Sequence, residues 1–223
     1  MEKTQTGQKT DAARLTSALT ALKTTRKTFK LPLESPEHAR TAVQTAVAVE
    51  IRAHGGTPAK NAEFDRITGE IAEWLLTQRT PWIVMCGQVG NGQTTFMDAI
   101  TSLYTLGGFT YKGVCAGFRK VEACDIDHLA RTERIQELKE CPMLAIDDLG
   151  CEAARVSVFG NEVSPVTEIL QHRYTGRMLT MFTTNLTPRQ IGERYGDRIA
   201  DRFRESATFV RFNEASYRKG GAR

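Results

Sequence analysis

The chain has 223 residues, 40% hydrophobic and 25% charged, with 30 basic against 26 acidic side chains and a net charge of +4. This is the composition of a water-soluble protein with one full domain and room for a small appendage. It has no apolar run near the roughly 20 residues of a membrane span, and its N-terminal residues, lacking an apolar stretch, are not expected to be a secretory leader. Its five cysteines (Cys86, Cys115, Cys124, Cys141, Cys151) form no C-x-x-C pair, and His38, His54, His128 and His172 show no ligand spacing. A reducing, cytoplasmic setting is therefore expected, without a zinc centre or a disulfide framework.

The first 30 residues carry seven basic side chains against two acidic ones. Leu15, Ala18, Leu19 and Leu22 recur at helical spacing, and Pro32 breaks the chain. Ser35-Pro36-Glu37 reads as a cap, a first-turn proline and an early acid, opening a helix whose stripe is Ala39, Ala42, Val43, Ala46 and Val47 and which Gly55-Gly56 ends. Residues 1–56 are thus expected to form a small, basic helical arm. Phe64, Ile67, Ile71, Trp74 and Leu75 mark a third helix, stopped at Arg79-Thr80-Pro81.

From there strands alternate with helices. Trp82–Gly87, Phe118–Cys124, Met143–Ile146, Leu179–Thr184 and Phe209–Phe212 read as five strands. Met97, Ile100 and Leu103 mark the helix after the first strand; Asp125 caps a helix through His128, and Val166, Ile169 and Leu170 mark another. The expected fold is α/β in three layers, a mostly parallel five-stranded sheet with helices on both faces, over residues 57–223.

Gly87-Gln88-Val89-Gly90-Asn91-Gly92-Gln93-Thr94-Thr95 matches the phosphate loop G-x-x-x-x-G-K-[ST] except at Gln93, which stands in the lysine position. Glycines let successive backbone N–H groups converge, and the helix behind adds the positive end of its dipole. Thr94 supplies a hydroxyl for Mg²⁺. Glutamine can donate a hydrogen bond there but cannot neutralise charge, so nucleotide binding is expected to survive and hydrolysis to be slow or absent. Three accounts of Gln93 stand: a degenerate natural site, an engineered trap, or a lysine supplied from elsewhere.

Met143–Ile146 runs into Asp147 and Asp148, at the strand end where a parallel sheet binds ligands. Asp147 would hold Mg²⁺ through water and Asp148 would polarise the attacking water; alone, such a pair is as often a turn or helix cap. Thr183-Thr184-Asn185 closes the fourth strand, where Asn185 either orients the lytic water or caps the next helix. In Glu193–Arg204, Ile199 and Phe203 face the core while Arg198 and Arg202 share a helix face. They either pair with Asp201 and Glu205 on a solvated surface or reach a neighbouring subunit's nucleotide.

Taken in order, the phosphate loop, Ile-Asp-Asp-Leu-Gly, Thr-Thr-Asn, Tyr-Gly-Asp-Arg-Ile-Ala-Asp-Arg-Phe and Ala215-Ser216-Tyr217-Arg218 resemble the DnaC/IstB-like AAA+ ATPases, bacterial helicase loaders and transposition helpers, over roughly residues 60–218. The resemblance implies a P-loop NTPase fold of AAA+ type that binds ATP and Mg²⁺, forms homo-oligomers and acts in DNA replication. Gly87, Gln88, Val89, Gly90, Asn91, Gly92, Gln93, Thr94 and Thr95 would cradle the nucleotide, and Thr94 and Asp147 the metal. Asp147, Asp148 and Asn185 match the two acids and the first sensor, Arg198 and Arg202 the arginine-finger segment, and Arg218 a second sensor. The implied partners are a replicative helicase or a transposase, and single-stranded DNA. With only Asn213–Arg223 after the fifth strand, neither a helical lid nor a C-terminal DNA-binding domain is expected. A nucleotide-dependent assembly switch without hydrolysis is the alternative from a different class.

Overall fold

The computed structural model describes residues 14, 29–58, 61–132, 134–158 and 161–213. The helix expected at Leu15–Leu22 and the segment containing Arg218 lie outside them. In chain order the elements are α1 (Pro36–Ala53), α2 (Ala62–Thr77), β1 (Trp82–Gly87), α3 (Gln93–Leu106), a hairpin of β2 (Thr110–Tyr111) and β3 (Val114–Cys115), and β4 (Phe118–Glu122). Then follow α4 (Ile126–Arg131), α5 (Ile135–Glu140), β5 (Met143–Asp147), a hairpin of β6 (Val156–Val158) and β7 (Asn161–Val163), α6 (Pro165–Thr175), β8 (Leu179–Thr184), α7 (Pro188–Tyr195), α8 (Asp197–Ser206) and β9 (Ala207–Phe212). No helix among the described residues is long and apolar enough to cross a membrane.

Five strands form one sheet in the order β4-β5-β8-β1-β9, and every pairing in it is parallel. The central strand β1 is almost wholly apolar, as a strand covered on both faces must be. Its side chains alternate: Ile83 and Met85 join a core with α1, α2 and α3, whereas Trp82, Val84 and Cys86 join a second core with α4 to α8. In the second core the Trp82 ring meets Phe203 at 5.0 Å and Phe182 at 5.4 Å, and those two rings lie 5.3 Å apart.

The helix signals read from sequence have physical counterparts. The Ser35 hydroxyl accepts from the His38 N–H at 3.1 Å, with Pro36 at the first helical position, and α1 buries Ala39, Val43 and Val47 completely. All five residues of the α2 stripe are buried, but α2 ends at Thr77 because Gln78 takes a left-handed conformation (φ 41°), before the expected stop. Gln78 then donates its side-chain amide to the Phe29 carbonyl and the Tyr104 hydroxyl.

Other expectations need correction. The strand expected at Phe118–Cys124 stops at Glu122, because Ala123–Asp125 turn into a 3₁₀ segment that leads into α4. That helix continues past His128 to Arg131, and Asp125 makes no side-chain capping bond. Arg173 on α6 is buried without a carboxylate partner among the described residues. It donates instead to the carbonyls of Leu138, Cys141 and Leu179, fastening the end of α5 to the start of β8. Burial pulls its pKa down to about 10.

Phe203 is the joint between α8 and the sheet. Phe203→Ala is expected to lower stability by about 3–5 kcal/mol in chemical denaturation, whereas Arg204→Ala on the solvated side should stay within about 0.5 kcal/mol.

Candidate functional site

The parallel order sets the C-terminal ends of β5, β8 and β1 side by side. Beyond β1 the chain makes a tight loop in which Gly90 (φ 90°) and Gly92 (φ 86°) take left-handed conformations that favour glycine. Gly87 is needed for a different reason: a Cβ there would stand 2.6 Å from the Phe212 carbonyl oxygen on β9. Gly92 is the N-cap of α3 and has no side chain to cap it, so the N–H groups of the first turn have no intrahelical partner. Strand, glycine loop and uncapped helix thus supply the geometry in which a polyphosphate is held by backbone amides. Gln88 and Val89 are exposed at the tip of the loop.

Gln93 does not point toward that concavity. It is 6% exposed, and its Nε2 donates to the Thr184 carbonyl at 3.1 Å and more weakly to the Met85 carbonyl at 3.5 Å. The side chain in the lysine position therefore ties the loop to β8 and β1. It brings no charge.

Asp147 closes β5, buried at 5% exposure, and its two oxygens gather donors from three elements. Oδ1 accepts from the Thr183 hydroxyl at 2.5 Å and the Thr94 hydroxyl at 3.1 Å, and Oδ2 lies 3.2 Å from the Lys120 ammonium. Thr94 and Asp147 together present hard oxygens at the mouth of the loop. That donor set suits Mg²⁺, which takes one or two protein oxygens and fills its octahedron with phosphate oxygens and water. Asp148 is exposed and left-handed (φ 54°), so the chain turns sharply after β5; its N–H donates to the Thr183 hydroxyl at 2.8 Å.

Two expectations change at the end of β8. The buried polar side chains there are Thr183 and Thr184, whereas Asn185 is exposed. Nor does Asn185 cap the next helix: Thr187 does so, in a reciprocal capping box with Gln190. The residue that fixes the acid is Thr183, two positions earlier. Thr183 lies within β8 beside β5, whereas the strand ends at Thr184 and Asn185 falls beyond it.

The arginine segment is anchored to the turn after β5 through a residue that sequence reasoning missed, Glu152. Glu152 is 4% exposed and accepts from the Gly150 N–H, the Tyr195 hydroxyl (2.6 Å) and Arg194 Nε (3.2 Å); Arg194 also donates to its main-chain carbonyl. Burial and the neighbouring Glu152 carboxylate raise the Tyr195 pKa, keeping the phenol protonated. In α8, Ile199 and Phe203 face the core as expected. The surface pairs expected there do not form. Asp201 pairs with Arg204 and Glu205 accepts from Tyr174, while the Arg202 guanidinium lies over the Tyr174 ring at 4.7 Å. Arg202 Nη1 is buried without a hydrogen-bond partner among the described residues, and Arg198 is exposed.

Two further features escaped the sequence. One is a cavity of about 200 Å³ beside the loop, whose walls include Ile51, Phe64, Ile67, Asn91, Phe96 and Phe212 from α1, α2, α3 and the end of β9. Asn91 donates to the Phe212 carbonyl at 3.1 Å, so the loop is fastened to β9 as well. The other is Lys120 on β4, 2.6 Å from Asp98 on α3 as well as 3.2 Å from Asp147. Partial burial disfavours its charge, but the two carboxylates outweigh that and its pKa is raised.

Thr183→Val keeps the shape of the side chain and removes its hydroxyl. It is expected to cost about 1–3 kcal/mol in denaturant titration, because Asp147 Oδ1 and the Asp148 N–H both lose a buried partner.

No family model and no curated protein matches the sequence. Solved structures do match in fold. The crystal structure of the DnaC helicase loader aligns with a TM-score of 0.54 at 20% identity, over 70% of this chain and 93% of that one. DnaI aligns with a TM-score of 0.52 at 19% identity, over 70% of this chain and 87% of that one. The fold of this chain is accordingly the α/β, P-loop NTPase-like fold seen in the DnaC and DnaI structures.

Proposed function

We propose that this chain is an ATP-binding AAA+ protein that assembles in a nucleotide-dependent manner and serves DNA replication as a helicase loader. The observation that carries the reading is the uncapped glycine loop entering α3, with the oxygens of Thr94 and Asp147 3.1 Å apart at its mouth. Residues 87–95 would hold the phosphates through backbone N–H groups, while the apolar cavity beside the loop has the position and lining to take the base. Magnesium, when bound at Thr94 and Asp147, offsets charge on the phosphate oxygens. Thr183 keeps Asp147 in place, and Asp148, on the sharp turn after β5, would polarise a water. Asn185, exposed at the end of β8, would act as a sensor from solvent rather than from the core.

Arg198 and Arg202 would serve a neighbouring copy's nucleotide, and Arg218 the chain's own. Within this reading residues 1–56 are a basic arm for the replicative helicase or single-stranded DNA, and residues 57–223 the nucleotide domain. A specific observation favours a second reading, an assembly switch that binds ATP without hydrolysing it: the Gln93 amide is engaged by the carbonyls of Thr184 and Met85. A transposition helper of the IstB type is separated from a loader by pull-down with a replicative helicase against a transposase.

The deciding experiment measures ATP binding and turnover in the parent and in Gln93→Lys. Binding by both is expected, with turnover in the parent at background and raised by about a hundredfold with the lysine, the worth of one preorganised charge-stabilising donor. Parent turnover well above background and equal to that of the variant would remove the switch reading. Arg198→Ala and Arg202→Ala are expected to leave monomer nucleotide affinity nearly unchanged. At least one should impair oligomerisation or turnover in the Gln93→Lys background; if neither does, no arginine of this segment acts in trans.

A further inference from the structure

Taking the nucleotide reading as its basis, we propose that Lys120 on β4 supplies the positive charge at the phosphate end of the site that Gln93 does not bring. A triphosphate arriving at this loop meets two further carboxylates, Asp147 and Asp148, and the backbone amides that hold it carry only partial charge. A full cation nearby would offset that repulsion. Gln93 cannot, being neutral and turned back onto two carbonyls.

Lys120 is placed to do so by strand register. It pairs with Ala145 across the β4–β5 ladder, two residues before Asp147. Two residues of parallel strand rise about 6.6 Å, which an extended four-carbon stem spans, so the ammonium arrives level with the acid. There it lies 3.2 Å from Asp147 Oδ2, while Thr94, the residue after Gln93, donates to Oδ1. The ammonium and the loop's hydroxyl therefore flank one carboxylate from opposite sides. Lys120 reaches the mouth of the loop from the next strand.

The cation is also held in a way that permits its release. Its shorter contact is with Asp98 on the second turn of α3, at 2.6 Å, and its side chain is 32% exposed. Two carboxylates share one ammonium, so a polyphosphate, and a metal taken up by Asp147, would compete for partners already in excess. A compact ammonium on a flexible stem can exchange a carboxylate for a phosphate by rotating about side-chain bonds. The alternative role is mechanical: Lys120 would clamp β4 to α3 through Asp98 and take no part in binding.

The two roles predict opposite effects for Asp98. The test is a fluorescence titration of the full chain with N-methylanthraniloyl-ATP and magnesium, using the parent, Lys120→Gln, Asp98→Asn and the double variant Gln93→Lys/Lys120→Gln. Near-UV circular dichroism reports on folding in each. Lys120→Gln is expected to weaken binding by about ten- to a hundredfold, the range of one charge-assisted hydrogen bond, and the double variant to recover most of that loss. Asp98→Asn is expected to tighten binding, because it frees the ammonium while leaving it in place. Parent-like binding by Lys120→Gln, or weaker binding by a folded Asp98→Asn, overturns the role of Lys120 and leaves the nucleotide reading intact. Absence of binding by the parent at millimolar nucleotide overturns the nucleotide reading first, and the role of Lys120 with it.

Discussion

The parallel pairing of β5, β8 and β1 is the constraint on which the site depends. Because these strands run the same way and are hydrogen-bonded in that order, three strand ends meet at one edge of the sheet. One contributes the glycine loop, one the acid and one the threonine that fixes the acid. Had a strand been antiparallel, its C-terminus would lie at the opposite edge, some 17–20 Å away for a strand of five or six residues. The alternating burial of β1 serves the same end, since cores on both faces hold its direction and register.

Around Asp147 the structure concentrates interactions that a local reading treats separately. Thr94 comes from the loop, Thr183 from β8 and Lys120 from β4, and all three converge on one carboxylate. Asn91 and Gln93 bind the loop to β9, β8 and β1 by donating to main-chain carbonyls. Glu152 extends this to the far side, joining the turn at Gly150 to Arg194 and Tyr195 at the end of α7. The segment carrying Arg198 and Arg202 is thus connected to the acid-bearing turn through a buried, fully engaged carboxylate. Gln93 ties the loop to β8 and brings no charge, and the ammonium beside Asp147 comes from Lys120 on β4.

Much of this was legible in the sequence because its signals are short and mechanistic. The limits of β1 follow from an apolar run bounded by turn residues, those of β8 from a stretch of apolar residues and β-branched threonines, and the loop from glycine spacing. The order of strands is consistent with the ordered motifs. What could not be read depends on distances across the fold. Lys120 sits in an unremarkable Phe-Arg-Lys-Val-Glu strand, and only register places it beside Asp147. Thr183 was noticed, but the choice between it and Asn185 turns on where β8 ends, at Thr184, so that Thr183 sits in the strand beside Asp147 and Asn185 beyond it. Two hairpins escaped because β2 and β3 have two residues each and β6 and β7 three, too few to show alternation. The six-residue α5 escaped for the same reason, its only fully buried residue being Leu138. The pair expected for Arg202 does not form because Tyr174, distant in sequence, takes both Arg202 and Glu205, and the pair expected for Arg198 because Asp201 pairs with Arg204.

The central claim is that residues 87–95 wrap their main-chain amides around a triphosphate facing Asp147. A crystal structure with magnesium and a non-hydrolysable ATP analogue tests it most directly. The account predicts the phosphates inside the loop at the N-terminus of α3, the metal between Thr94 and Asp147, and the base in the cavity bounded by Phe64 and Phe212. Nucleotide bound elsewhere, or an unchanged and empty loop at saturating analogue, would contradict it.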